Sequence, residues 1–191
     1  MTAGLSGVSL HAGAVAGDTG AVVFTGQSGS GKSTLIGNLV TEGYRFVSDD
    51  ILPVNLDGDC VYSIPAPLAM KKGGGKLPAF EALHQQLLTT ETPRDGVHYA
   101  DFAGDNALVA PFKVKALVLP SYLPDEEERV FRLAPADVLK DIMTAGAHFP
   151  TGSIASLLKF LENVQIYRLI FRTTDFSVAR SKEILASGLD L

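Results

Sequence analysis

The stretch at residues 21–34 reads Ala21-Val22-Val23-Phe24-Thr25-Gly26-Gln27-Ser28-Gly29-Ser30-Gly31-Lys32-Ser33-Thr34. Its first part, residues 21–25, is rich in β-branched and aromatic types and predicts a buried strand. Residues 26–33 match the phosphate-binding loop pattern G-x-x-x-x-G-K-[ST] without a mismatch. Leu35, Leu39 and Val40 then lie on one side of a predicted helix. This order of strand, glycine-rich turn and helix predicts an α/β fold that binds a nucleoside triphosphate.

The chemistry of the loop explains its residue types. Glycines let backbone N–H groups point at phosphate oxygens, and the positive end of the following helix adds to that field. We expect the Lys32 ammonium to reach the outer phosphates and the Ser33 hydroxyl to contact a phosphate-bound Mg²⁺. The alternative, a chance match of a Gly/Ser-rich loop, is disfavoured by the flanking strand and helix. The predicted nucleotide-binding residues are Gly26, Gln27, Ser28, Gly29, Ser30, Gly31, Lys32, Ser33 and Thr34.

Composition limits the class of protein. The chain has 191 residues, of which 46% are apolar, which indicates a single folded domain over residues 1–191. A net charge of -5 argues against a nucleic-acid partner held by bulk electrostatics, and the apolar runs are too short to span a membrane. Cys60 is the single cysteine, and no lysine or arginine precedes Lys32, so a disulfide and a basic leader are both disfavoured. These features predict a cytoplasmic protein with neither a nucleic-acid nor a membrane partner.

The order of elements predicts a mixed sheet. A strand over residues 5–16 and the strand at 21–25 form a hairpin around the turn at 17–20, which places His11 beside the glycine-rich loop. A strand at 44–48 leads into Asp49-Asp50, and a second hairpin joins 51–56 to 61–64. Pro120 is expected to stop a buried strand at 113–119. Further strands are predicted at 129–133 and 165–171, and helices at 78–88, 135–145, 153–163 and 176–189.

The segment at residues 65–76 contains Lys71, Lys72 and Lys76 around three consecutive glycines. This glycine content predicts an irregular loop, and residues 89–104 are also predicted to be irregular. Two interpretations of the basic loop stay open. It is either a solvated connector or a mobile loop that contacts a phosphate or an acidic substrate.

Two further positions are candidates for chemistry. Asp49 and Asp50 end a strand, and in an open α/β sheet the carboxyl ends of strands line the ligand crevice, so we expect Mg²⁺ binding or proton transfer there. Adjacent carboxylates repel each other, so one should titrate at a raised pH, although an acidic pair can also be a simple turn. His11 in an apolar strand is by base rate a core residue, and only the hairpin argument favours a functional role.

Residues 9–50 also carry a family resemblance. Ser9-Leu10-His11-Ala12-Gly13, the stretch from Gly20 through Ser33, and Glu42-Gly43-Tyr44-Arg45-Phe46-Val47-Ser48-Asp49-Asp50 resemble the catalytic core of HPr kinase/phosphorylase and its shorter relatives. A looser resemblance covers Tyr167-Arg168-Leu169. The resemblance implies the fold shared with phosphoenolpyruvate carboxykinase, with ATP and Mg²⁺ as cofactors. It implies that His11, Lys32 and Asp50 are catalytic, with Asp50 as general base, and that Ser33 binds Mg²⁺; Asp49 and Asp50 are the further candidate metal ligands.

This sequence also departs from the family pattern. Thr34 replaces the Glu that follows the loop serine in those kinases, and residues 68–74 replace their Glu-x-Arg-Gly stretch. Arg94 is the candidate for their substrate-loop arginine. Nucleotide and Mg²⁺ binding therefore carry over, whereas the phosphorylase reaction and HPr as substrate do not.

The sequence thus predicts an ATP- and Mg²⁺-dependent kinase that transfers the γ-phosphate to a hydroxyl. A serine of a small protein or peptide is the favoured acceptor by family analogy. The alternatives are a small-molecule hydroxyl, or an inactive ATP-binding regulatory module, which the replaced Glu favours. The oligomeric state is left open, with a homo-oligomer as one option.

Overall fold

The computed structural model describes residues 7–64, 66–71, 97–100, 102 and 111–187. The strands in this part of the chain are β1 Gly7–Leu10, β2 Ala12–Gly17, β3 Gly20–Thr25, β4 Arg45–Ser48, β5 Leu52–Asn55, β6 Cys60–Val61, β7 Leu68–Lys71, β8 Val97–Ala100, β9 Phe112–Tyr122, β10 Arg129–Arg132, β11 Ala147–His148 and β12 Gln165–Phe171. The helices in the same part are α1 Lys32–Thr41, α2 Pro135–Gly146, α3 Ile154–Asn163 and α4 Thr174–Ala186. None of these helices is long and apolar enough to cross a membrane.

Most of the strands join one mixed sheet, which confirms the α/β class. Its centre is parallel, with β9 lying between β3 and β12. β2 pairs antiparallel with β3, and β4 pairs antiparallel with β2, so β4 runs in the same direction as β3. An antiparallel wing of β6, β5, β1 and β11 continues from the start of β9, and β10 pairs antiparallel with β12. Strands β7 and β8 form a separate pair.

The sheet is packed on both faces. Alternate residues of β3 enter different cores, with Val22 and Phe24 on one side and Val23 on the other. The first core contains α1 and α4, and the second contains α2 and α3. Because both faces are covered by helices or by the antiparallel wing, the ends of the parallel strands are the natural place for a site.

The predicted hairpin around the glycine-rich loop is confirmed, with one correction. Ala12 pairs with Thr25 and Gly17 with Gly20. The predicted continuous strand over 5–16 is wrong at His11, where the chain bends between β1 and β2. The physical reason is that the His11 N–H donates to the carbonyl of Gly146 at 2.8 Å instead of joining a strand ladder.

The prediction that Pro120 ends its strand is also wrong, since β9 continues to Tyr122. Strand β3 pairs with β9 only as far as Val118, whereas β12 stays paired up to Tyr122. Beyond Val118, β9 has no β3 partner on that side, which is the setting in which a strand tolerates the missing N–H of proline.

Residues 65–76 and 89–104 are not wholly irregular, contrary to the prediction. Leu68–Lys71 pairs antiparallel with Val97–Ala100 as β7 and β8. The pairing joins segments far apart in the chain, so local composition gave no sign of it. The predicted helix at 78–88, Lys72, Lys76 and Arg94 lie outside the described residues.

The second hairpin is confirmed by the pairing of Val54 with Val61 and of Asn55 with Cys60. The Asn55 side-chain oxygen accepts hydrogen bonds from the N–H groups of Asp57 and Gly58, which fixes the turn. The strands and helices predicted after residue 128 are present with small shifts at their ends.

Candidate functional site

Three predicted segments meet at one edge of the sheet. Strands β3 and β4 run in one direction and β2 runs in the other, so the carboxyl ends of β3 and β4 lie beside the amino end of β2. The glycine-rich loop (residues 26–31) follows β3, Asp49 and Asp50 follow β4, and His11 precedes β2. The topology therefore brings together the residues that the sequence singles out.

The glycine-rich loop has a backbone that requires glycine. Gly31 is the N-cap of α1 with a φ of 98°, and Gly29 has a φ of 87°. A side chain at Gly31 would also meet the ring of Phe171 at 2.7 Å, whereas a side chain at Gly29 would meet nothing within 4 Å. The loop is thus held closely against β12 at Gly31 and is open at Gly29.

This difference allows a matched prediction. Gly31→Ala should lower the free energy of unfolding by about 2–4 kcal/mol, because it combines left-handed strain with a clash against Phe171. Gly29→Ala should lower the free energy of unfolding by only about 1–2 kcal/mol, because it introduces left-handed strain without a clash. Urea unfolding of both variants measures the difference. Equal losses would mean that the contact between Gly31 and Phe171 does not hold the loop.

Lys32 lies inside the loop. Its side chain is 6% exposed, and its Nζ donates to the carbonyls of Gly26 at 2.6 Å and Gln27 at 3.0 Å. A buried ammonium needs such partners, because desolvation without hydrogen bonds is costly. The arrangement fixes a positive charge beside the first residues of the loop.

Ser33 and Asp49 are in direct contact. The Ser33 Oγ donates to the Asp49 Oδ2 at 2.9 Å, which joins the start of α1 to the end of β4. The Asp49 Oδ1 is buried and accepts no well-aligned hydrogen bond within the described part of the chain, although the N–H groups of Asp50 and Ala69 lie near the carboxylate. A hydroxyl beside a carboxylate oxygen that lacks a partner is a donor set that suits Mg²⁺.

Asp49 has a raised pKa. The pKa is raised from 3.8 to about 6, and burial is the largest cause. The Ser33 hydrogen bond opposes the rise, the charge of Asp50 adds to it, and the nearby N–H groups of Asp50 and Ala69 lower it. The expectation that one acid of the pair has a raised pKa is met by Asp49, but burial contributes more to the rise than repulsion from Asp50.

Asp50 points in a different direction from its neighbour. It is exposed and has a φ of 65°, in the left-handed region that non-glycine residues rarely adopt. The turn is closed by hydrogen bonds from the Ile51 N–H to the Asp49 carbonyl at 2.8 Å and from the Ser48 hydroxyl to the Ile51 carbonyl. Adjacent acids thus have separate environments, with Asp49 buried against Ser33 and Asp50 open to solvent.

His11 lies beside the start of the glycine-rich loop, as the hairpin predicts. Its carbonyl accepts a hydrogen bond from the Thr25 hydroxyl at 3.3 Å, directly before the glycine-rich loop. Its N–H donates to Gly146, the last residue of α2. Helix α2 is therefore attached to the site through the backbone of His11.

A groove next to the loop contains residues to which the sequence assigns no role. Its volume is about 380 Å³, and the lining comprises residues 26–30 and 119–123, Asp141 of α2 and Arg168 of β12. Arg168 and Asp141 form an ion pair. For Arg168 the sequence offered two signals, its charge within the mostly apolar strand β12 and the looser resemblance at residues 167–169, whereas Asp141 on α2 carries no pattern of its own.

Metal binding at this edge would need oxygen atoms from outside the protein. Among the described residues, no three His, Cys, Asp or Glu side chains gather into a metal cluster. Mg²⁺ commonly binds one or two protein oxygens together with substrate phosphates, and Ser33 with Asp49 fits that arrangement.

The comparisons with known proteins include similarity to solved structures but no match by sequence. No protein-family model matches the chain, and no curated protein matches its sequence. A solved structure described as the Hpr(Ser) kinase/phosphatase from Coxiella burnetii is 14% identical, with 92% of this chain and 96% of that chain covered and a TM-score of 0.42. This similarity is distant, and it gives no information about ligands or activity.

Proposed function

We propose that the protein is an ATP- and Mg²⁺-dependent kinase that transfers the γ-phosphate to a hydroxyl group. The observation that carries the proposal is the contact between Ser33 and Asp49, which joins the glycine-rich loop to the acidic pair. A loop of this sequence would bind the nucleotide, and the adjoining acids would bind the metal and accept a proton.

Each residue at the edge has a proposed task. The N–H groups of the loop and the Lys32 ammonium hold the phosphates and neutralise the charge that develops on them. Ser33 and Asp49 would hold Mg²⁺, which supplies positive charge beside the outer phosphates. Asp49, rather than Asp50, is the proposed acidic metal ligand, because Asp49 contacts Ser33 whereas Asp50 is exposed to solvent.

Asp50 and His11 are the proposed catalytic residues on the acceptor side. The Asp50 carboxylate is exposed, so an acceptor hydroxyl can approach it and give up its proton. His11 would orient the acceptor or the transferred phosphate from the neighbouring strand end. The family resemblance favours a serine hydroxyl as acceptor, and a cytoplasmic location and a single domain over residues 1–191 stay predictions.

The test is analysis of reaction products from Mg-ATP with candidate hydroxyl acceptors. A kinase releases ADP in step with phosphorylated acceptor. Tight Mg-ATP binding without turnover across the acceptor panel would favour an ATP-binding regulatory module instead, the reading that Thr34 in place of Glu supports.

The adjacent acids should respond differently to substitution. Asp50→Asn should lower phosphate transfer by at least ~10²-fold, because the amide cannot accept the acceptor's proton, while ATP affinity changes little. Asp49→Asn should raise the Mg²⁺ concentration needed for half-maximal rate more than it lowers the rate at saturating Mg²⁺. Turnover and ATP affinity are measured for both variants. The assignment is reversed if Asp50→Asn weakens Mg-ATP binding as much as turnover while Asp49→Asn spares binding.

A further inference from the structure

The groove lies against the first residues of the glycine-rich loop. It is lined by residues 26–30, and the Lys32 ammonium is bonded to the carbonyls of Gly26 and Gln27 at the start of that segment. In loops of this type the lysine reaches the β- and γ-phosphates. A molecule in the groove would therefore face the phosphate to be transferred.

An ion pair with Asp141 orients the guanidinium of Arg168 so that it can bind an anion in this groove. Its Nη2 forms an ion pair with the Asp141 Oδ2 at 2.5 Å, and the two side chains are 27% and 40% exposed. Within the described residues, no other hydrogen bond of the Arg168 guanidinium is present. Since a guanidinium has five N–H donors, the ion pair orients the group and leaves an edge for a carboxylate.

Asp141 limits the kind of anion. Its negative charge next to Arg168 makes the pair nearly neutral, which disfavours a dianionic phosphate and suits a carboxylate with a single charge. Tyr122 and Leu123 line the same groove, and they are 51% and 39% exposed, so they offer an apolar wall to a short carbon skeleton.

Helix α2 connects the groove with the backbone of His11. The helix carries Asp141 and ends at Gly146, whose carbonyl accepts the hydrogen bond of the His11 N–H. A separation of five residues corresponds to about 7.5 Å along a helix. Helix α2 therefore links the groove to the backbone of His11, and a groove of about 380 Å³ is of the size of a small-molecule site.

We propose that Arg168 binds the carboxylate of the phosphate acceptor, and that the acceptor is a small carboxylic acid bearing a hydroxyl, free serine included. The inference rests on the proposed kinase function and specifies its substrate class. In the reaction, the acceptor oxygen bonds to the γ-phosphorus while the bond to the bridging oxygen breaks. ADP leaves, and the hydroxyl proton passes to Asp50. Asp141 is a positioning residue that acts through Arg168.

The test uses matched probe pairs with radiolabelled Mg-ATP. D-glycerate and L-serine carry the carboxylate, glycerol and ethanolamine lack it, and a serine peptide with both ends blocked represents a protein substrate. We expect kcat/KM for at least one carboxylate probe to exceed that of its partner by about 10- to 100-fold, the usual value of a charged hydrogen bond.

Variants separate binding from folding. Arg168→Gln should raise the KM for the carboxylate probe by about 10- to 100-fold and leave the KM for ATP unchanged. Arg168→Lys keeps the positive charge and should retain part of the affinity for the carboxylate probe. It replaces the glutamine variant in this test if that variant does not fold. Arg180→Gln is the matched control, because Arg180 forms a similar ion pair with Glu183 on α4.

The outcomes distinguish this inference from the proposed function. The inference is wrong if neither carboxylate probe is a better acceptor than its partner, or if Arg168→Gln leaves the KM unchanged. Transfer to the blocked peptide alone would likewise overturn it while the kinase function stands. Failure to bind Mg-ATP would overturn the kinase function itself.

Discussion

Replacing Lys32 with alanine is expected to abolish the stabilisation of the folded protein by Mg-ATP. The buried ammonium is held at the start of the glycine-rich loop, where it would neutralise the outer phosphates. A ligand at 100 times its Kd stabilises a protein by about 2.7 kcal/mol, and the variant should lose nearly all of this gain. Thermal unfolding with and without Mg-ATP measures it.

The comparison must use the shift caused by Mg-ATP, because removing Lys32 leaves the carbonyls of Gly26 and Gln27 without their donor and lowers stability without ligand. Lys115→Ala is the matched control. Lys115 also donates to backbone carbonyls, those of Leu185 at 3.1 Å and Ala186 at 2.9 Å near the end of α4. Its variant should keep the full shift. An unchanged shift in Lys32→Ala would place the nucleotide elsewhere on the protein.

Local signals made the centre of the site predictable. A strand, a glycine-rich loop and a helix follow one another without a gap, and the turn at residues 17–20 forces the preceding strand back along β3. The position of His11 follows from that hairpin alone, since Ala12 faces Thr25 in the register. Where neighbours in the chain are also neighbours in space, the sequence suffices.

Features set by distant pairing were not predictable. Pro120 stays in a strand because β3 ends before it, a fact of the sheet that no residue near Pro120 reveals. The groove depends on the contact between Asp141 of α2 and Arg168 of β12, elements separated in the chain by β11 and α3. Arg168 is the one charged residue of β12, and Asp141 is one of three charged residues on α2, so neither element carries a pattern that predicts the contact.

The acidic pair, Asp49 and Asp50, was predictable in position but not in the environment of each side chain. Its place after β4 could be read from the sequence, but the difference between Asp49 and Asp50 could not. That difference comes from the left-handed turn at Asp50, which directs one carboxylate towards Ser33 and the other to solvent. The proposed division of roles between the adjacent acids would therefore have a conformational origin, and the charge of Asp49 gives a way to measure it.

The Asp49 charge should make the metal-free protein less stable as the pH rises. The pKa of about 6 lies above the ordinary value of 3.8, so between these values the folded state holds a proton that the unfolded state has lost. The contribution of this group to stability is complete below pH 4 and is lost as the pH rises through 6. A difference of about two units corresponds to a loss of about 3 kcal/mol.

Asp49→Asn should remove this dependence. The amide can still accept the Ser33 hydrogen bond at nearly the same volume, so the variant should be more stable than the parent by up to about 3 kcal/mol at pH 8 and similar to it at pH 4. Urea unfolding across this range, with EDTA present, gives the two curves. Asp125→Asn, at an exposed turn residue, is the control and should leave the parent curve unchanged. Parallel curves for Asp49→Asn and the parent would show that the buried carboxylate is not the group that titrates near pH 6.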